Sequence, residues 1–295
     1  MSVTPTPSLP RIRVRPSGLR RTRRVFEDLG IPTVCEGALC PNRPECYDAG
    51  HVTVLILGRR CTRACGFCAV DHGGPEPVDP NEPARVAELA ARLGMRHVVV
   101  TSVTRDDLPD GGAGQYAAVA RAVAALPGPV TAEALVPDFQ GDPEALAVVA
   151  AAPYRVLAHN VETVPRLYPR IRPGADYARS LGVLRTFAGL ADRGQTVKSG
   201  LMLGLGESAD EVRRVLADLR GAGVDAVCLG QYLRPGPGRV PVSRYLQEAE
   251  FERWAEEARA LGFAEVWSGP RVRSSYRVSS RGRPGAPETQ PRRSK

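Results

Sequence analysis

Short apolar runs alternate with Ala- and Leu-rich stretches of helical periodicity six times over, and that repeat confines the chain to an α/β fold. The runs occupy 51–57, 96–102, 129–136, 154–160, 196–203 and 224–232. Helical spacing recurs near 82–93, 113–125, 142–152, 175–193, 208–221 and 243–261. Strands of near-continuous apolar character separated by helices predict a parallel sheet with right-handed crossovers. A complete eight-unit barrel takes about 250 residues. The repeat here is shorter, running from 51 to 261, so a partial (β/α)6 TIM-like barrel is expected. In such a fold the loops after the strands converge on one mouth, where chemistry is expected.

Around that repeat the chain divides into an N-terminal extension, 1–50, a C-terminal segment, 262–278, and a tail, 279–295, rich in Arg, Pro, Ser and Gly and expected to be disordered. Formal charge is +8, but residues 1–25 alone carry seven Arg and no acid, and the tail sets five basic groups against Glu288. Such arms suit an acidic protein or a nucleic acid, and equally a solvated end without a dedicated partner. With 43% apolar residues the core is ample. No run reaches the roughly 18 apolar residues of a membrane span, and the start lacks a secretory apolar block, so the expectation is a cytoplasmic protein without a membrane partner.

Cysteine placement narrows the chemistry. Of seven Cys, six lie between positions 35 and 68, and Cys228 stands apart as an expected inert, buried thiol. Disulfides need an oxidising compartment, so metal or cluster binding leads. Residues 61–68 read CTRACGFC, three thiols at Cys-x3-Cys-x2-Cys spacing directly after the first strand. Thiolate tripods of this kind hold three irons of a cubane and leave the fourth open for a small molecule. A zinc site would favour a fourth paired Cys or His, and the nearest His, His72, lacks that pairing.

With Phe67 before the third Cys, this string resembles the signature of the radical S-adenosylmethionine superfamily. The resemblance implies that Cys61, Cys65 and Cys68 hold a four-iron four-sulfur (4Fe-4S) cluster whose open iron binds S-adenosylmethionine and cleaves it to a 5′-deoxyadenosyl radical. It further implies that Gly111 and Gly112, in TRDDLPDGG, let backbone approach the methionyl amino group. In GLMLGLGE it sets Gly200, Gly204 and Glu207 beside the adenine, with Met202 where the superfamily has Ile. Asn160 and Glu162, where the fourth strand meets the mouth, suit the ribose hydroxyls. Each of these strings also reads as an ordinary turn or cap.

Upstream, CEGALCPNRPEC places Cys35, Cys40 and Cys46 in a second tripod that radical generation does not need. Together with HNVETVPRLYPRIRPGADY, VKSGLMLGLGE, GQYLRP and SGPRVRSSY, it makes residues 9–278 resemble the lipoyl synthase family closely. That resemblance implies an auxiliary 4Fe-4S cluster on Cys35, Cys40 and Cys46 with Ser274 on its fourth iron. A hydroxyl is a weaker partner for iron than a thiolate, so it can leave while sulfide is consumed. The implied reaction inserts two sulfurs, at C6 and C8 of an octanoyl chain amide-linked to Lys. The implied substrates are lipoyl carrier domains of 2-oxoacid dehydrogenase E2 subunits and the glycine cleavage H protein. Electrons would come from a donor such as ferredoxin or flavodoxin, and the enzyme would act as a monomer without nucleic acid. Gly37 and Arg239 depart from the family pattern, which has an acidic residue and His there, and the ligands are intact. Two other readings stay open. A different radical enzyme that inserts sulfur or methylthio groups would lack this order of tripods and tail, and a basic iron–sulfur or zinc protein on nucleic acid would bind it in a salt-sensitive way.

Overall fold

Residues 16–275 are described by the computed structural model. Part of the basic N-terminal arm and the expected disordered tail lie outside the described residues. Three helices come first, α1 (Pro16–Leu29), α2 (Val34–Gly37) and α3 (Arg43–Asp48). Strand β1 (Thr53–Ile56) follows, then the two-residue pair β2 (Arg60–Cys61) and β3 (Asp71–His72). From there helices and strands alternate: α4 (Glu82–Leu93), β4 (His97–Ser102), α5 (Ala113–Ala124), β5 (Thr131–Leu135), α6 (Pro143–Ala150), β6 (Val156–Ala158), α7 (Tyr168–Ile171), α8 (Tyr177–Leu190), β7 (Thr196–Leu203), α9 (Ala209–Gly221), β8 (Ala226–Gln231), α10 (Glu248–Ala260) and β9 (Glu265–Gly269).

Seven strands form one parallel sheet in the order β1-β4-β5-β6-β7-β8-β9, each paired with the next of these seven along the chain. That order makes β1 and β9 its edges, so the sheet is an open partial barrel rather than a closed one. All six expected strands are present. The seventh, β9, was not expected, because EVWSG buries only Val266 and shows no continuous apolar run. Strands covered by helices on one side and core on the other are buried throughout, as in β1 and β8.

Local chemistry explains where the crossover helices start and stop. Ser208 and Glu211 form a capping box at the head of α9, satisfying backbone N–H groups that no turn of helix can reach. Gly94, in the left-handed region, ends α4. The N-terminal extension is fastened to the barrel at its otherwise bare β1 edge. Thr33 bridges Val54 in the antiparallel sense, and the Leu55 N–H donates to the Pro32 carbonyl at 3.1 Å. Tyr47, 1% exposed, packs on the Phe26 ring at 5.5 Å and hydrogen-bonds Thr33 through its hydroxyl at 2.9 Å. No helix among the described residues is long and apolar enough to cross a membrane.

Candidate functional site

The loop after β1 is built to hold three thiols in one place. Pairing of β2 with β3 sets Cys61 against His72, and the Gly73 N–H donates to the Cys61 carbonyl at 3.1 Å, so both ends of the loop are pinned. Inside it, the Gly66 N–H donates to the Ile171 carbonyl and the Gly66 carbonyl accepts from Val240 N–H, each at 2.9 Å. A Cβ at Gly66 would lie 2.8 Å from Val240 Cγ2 and 3.0 Å from the Arg170 carbonyl, so no larger residue fits. The Cys61 sulfur accepts weakly from the Thr104 and Arg63 amides at 3.3 and 3.4 Å.

Arg63 ties the loop to two neighbouring ones. Its guanidinium donates bidentately to Asp106, at 2.7 and 2.8 Å, and to Asp138, at 2.9 and 2.8 Å. Burial opposes ionisation of Asp138, but hydrogen bonds from Arg63 outweigh it and hold the carboxyl at about 2. The thiols behave oppositely. Burial pushes Cys68 up to about 11 and raises Cys65, so without metal both are protonated and metal uptake must release protons.

Cys35 lies in α2 and Cys46 in α3, with Cys40 on the turn between them. The Cys40 N–H donates to the Cys35 carbonyl at 3.1 Å and the Cys46 N–H to Asn42 at 3.0 Å. Burial pushes Cys35, too, up to about 11. Five of the six clustered thiols, Cys35, Cys40, Cys61, Cys65 and Cys68, line one cavity of about 360 Å³, and Ser274 shares its wall. Cys46 is outside that wall, and none of the seven cysteines is in a disulfide. Among the described residues no three His, Cys, Asp or Glu side chains converge to hold a single metal ion. A cubane asks less convergence, since each thiolate takes a separate iron. The donor set therefore fits iron–sulfur clusters.

Asn160, Glu162, Gly200 and Phe67 line the same cavity. Glu162 takes a left-handed φ of +63°, exchanging backbone hydrogen bonds with Gly200 and Met202 while its Oε1 accepts from Asn160 Nδ2 at 3.0 Å. Strain of this kind concentrates where geometry serves a ligand. A Cβ at Gly200 would lie 2.8 Å from Asn160 Oδ1, so a larger residue there would push the Asn160 amide aside. The remaining expected residues sit elsewhere. Gly112 is the N-cap of α5, where a Cβ would collide with the Leu57 side chain, and Gly111 lines a separate pocket of about 220 Å³. Glu207 folds back so that its carboxylate accepts the Gly204 and Leu205 N–H groups at 2.6 and 2.9 Å, and neither Gly204 nor Glu207 reaches the cavity wall.

Two lining residues carry polar atoms that reading by motif did not assign. Arg172, 8% exposed, donates to the Asn160 carbonyl at 3.1 Å and stacks over Tyr168 at 5.2 Å, but its Nε has no partner. His159, 1% exposed, bonds the Val136 carbonyl through Nδ1 at 2.9 Å and leaves Nε2 without one. Both fall within the string HNVETVPRLYPRIR, yet a run with three Arg gives no sign of which one turns inward.

Residues 55–219 match the family model described as the radical SAM superfamily. A lipoyl synthase of Caldanaerobacter subterraneus subsp. tengcongensis is 50% identical over 266 residues, covering 90% of this chain and 93% of that protein. One from Methylococcus capsulatus is 52% identical over 269 residues, covering 90% and 83% respectively. In fold, the chain resembles methylornithine synthase (PylB) with a TM-score of 0.53 at 13% identity, covering 92% of this chain and 86% of that one. Streptococcus suis SuiB bound to its precursor peptide SuiA gives a TM-score of 0.57 at 11% identity, covering 91% and 58%.

Proposed function

The chain belongs to the lipoyl synthase family within the radical SAM superfamily, and from that premise we propose how its residues divide the reaction. Cys61, Cys65 and Cys68 hold the radical-generating 4Fe-4S cluster, and Cys35, Cys40, Cys46 and Ser274 hold an auxiliary one. When bound, the first cluster with two molecules of S-adenosylmethionine would supply two 5′-deoxyadenosyl radicals, one for a hydrogen at C6 and one for a hydrogen at C8 of an octanoyl chain, and the second would supply sulfur. Unactivated C–H bonds lie beyond acid–base catalysis, so the protein's task is to orient and enclose.

Asn160 and Glu162 take the ribose hydroxyls and Gly200 the flat face of the adenine. Gly111, Gly112, Gly204 and Glu207 shape the loops bordering S-adenosylmethionine. Leu55, Val136, Met202 and Leu233 give the cavity an apolar wall suited to an alkyl chain. Residues 1–50 and 262–278 act together as the module for the auxiliary cluster, laid across a barrel of 51–261. The substrate is an octanoylated carrier domain, of the kind found in 2-oxoacid dehydrogenases and the glycine cleavage H protein. A ferredoxin or flavodoxin donates electrons, and the enzyme works as a cytoplasmic monomer.

The observation that carries this reading is the single cavity walled by thiols of both tripods together with Ser274. Iron and sulfide counts after anaerobic reconstitution test it. Two cubanes predict about eight of each per chain, falling to about four in Cys65→Ala and in Cys35→Ala alike. About four in the unaltered protein, or bound zinc, overturns it.

A further inference from the structure

Beyond β9 the chain runs as a strap, residues 270–275, to which side chains from distant parts of the chain are bonded. Within it the Val272 N–H turns back to the Gly269 carbonyl at 3.1 Å. Outside it, Asn42 Nδ2 donates to the Arg271 carbonyl and Thr53 Oγ1 to Ser275 Oγ, each at 2.7 Å. The sheet is also cut away to admit it, since a Cβ at Gly230 of β8 would lie 2.1 Å from the Val272 carbonyl.

Ser274 itself is gripped through its backbone. The Lys198 ammonium donates to the Ser274 carbonyl at 2.7 Å, and the Cys228 thiol approaches the same oxygen more weakly at 3.9 Å. Lys198 is wholly buried in β7, on the face that two and four residues later carries Gly200 and Met202 into the cavity wall. Its counter-ion is Glu133 of β5, also wholly buried, whose second oxygen lies 3.5 Å from His97 Nε2. Burying an ammonium and a carboxylate forfeits their hydration, and a packed apolar pair of similar volume stabilises as well or better. Stability alone does not account for the pair. What the ammonium adds, and an apolar residue would not, is a directed bond to the carbonyl of Ser274 itself.

We propose that Lys198, held beneath the cavity by Glu133, is a positioning residue that locks the Ser274 carbonyl and so presents the Ser274 hydroxyl beside Cys35 and Cys40. The inference rests on the reading of Ser274 as a cluster ligand. It makes the charge pair a register pin for the strap, in the manner of buried polar groups that select one alignment among several.

The test uses the anaerobically reconstituted, 57Fe-labelled holoenzyme and two readouts. Amide hydrogen exchange follows Val272 to Ser275, and Mössbauer spectra follow the oxygen-ligated iron. Lys198→Met should speed strap exchange about tenfold or more, the loss of one charge-assisted hydrogen bond, and remove the oxygen-ligated signature. Lys198→Arg, which keeps a donor and the charge, should restore part of both. Because Lys198→Met strands a buried carboxylate, Lys198→Met with Glu133→Gln removes both charges and should show the same two losses in a well-folded protein. Slow strap exchange and an intact iron signature in that double variant overturn the proposal. Ser274→Ala keeps the carbonyl and tests the ligand reading alone: strap exchange stays slow while the signature disappears. If the signature survives there, the ligand reading falls, and the role given to Lys198 falls with it.

Discussion

His159 shows how much one backbone carbonyl decides. The Val136 carbonyl can only accept, so Nδ1 carries the proton and Nε2 is a bare acceptor on the cavity wall. Burial first, and the Arg172 charge second, push the ring down to about 4. Because the folded value lies below the ordinary one of 6.5, the unfolded chain binds the proton first. Stability is therefore full above about pH 6.5 and declines as pH falls toward 4, by on the order of 3 kcal/mol for a shift of this size. Urea unfolding of the cluster-free chain should show that decline, and His159→Gln should flatten it; an unchanged slope would mean that another group governs the acid limb. Asp138, held at about 2 by Arg63 against its burial, acts only below that window. His159 sits in the sequence as the residue before Asn160, and nothing in its spacing reveals that its ring is inside.

At the scale of elements, the cysteine loop works because its neighbours leave it no freedom. Gly66 is wedged between the end of α7 and the Val240 segment, so Gly66→Ala must displace either the loop or both supports, at a cost of about 1–3 kcal/mol. The expected result is a folded protein that keeps the auxiliary cluster and loses the radical one, about half the iron by the two-cubane count, with no cleavage of S-adenosylmethionine. Normal iron content in that variant would show that the loop tolerates the shift. The spacing of the three thiols was legible because it is contained in eight consecutive residues. The clamp was not, since Ile171 at the end of α7 and Val240 approach Gly66 from segments far along the chain. β9 escaped notice for a related reason. An edge strand half covered by solvent needs no continuous apolar run, and its partner β8 supplies the hydrogen bonds that define it.

Over the whole molecule, charge and topology meet. The N-terminal 25 residues carry seven Arg without an acid, and a field of that kind steers an acidic partner from a distance while adding little to the final contact. Replacing those Arg by Gln should slow turnover of an octanoylated carrier protein at low ionic strength and weaken its dependence on salt, leaving a short octanoyl-lysine peptide turned over as before. Equal salt dependence before and after would remove the arm from the encounter. Strand order does what no local string announces. A parallel sheet laid down in chain order brings Thr53 near the start within reach of Ser275, 222 residues later, and Asn42 within reach of Arg271, 229 residues later. By itself the sequence determined what repeats over short spans, the βα alternation and the thiol spacing within each tripod, because hydrophobic period and ligand reach act between near neighbours. Only the tertiary structure decided that thiols from both tripods, Cys46 excepted, wall one cavity with Ser274, that Glu207 braces a turn, and that Lys198 grips the strap. Those contacts depend on which faces the folded sheet turns inward, and chain spacing carries no measure of that.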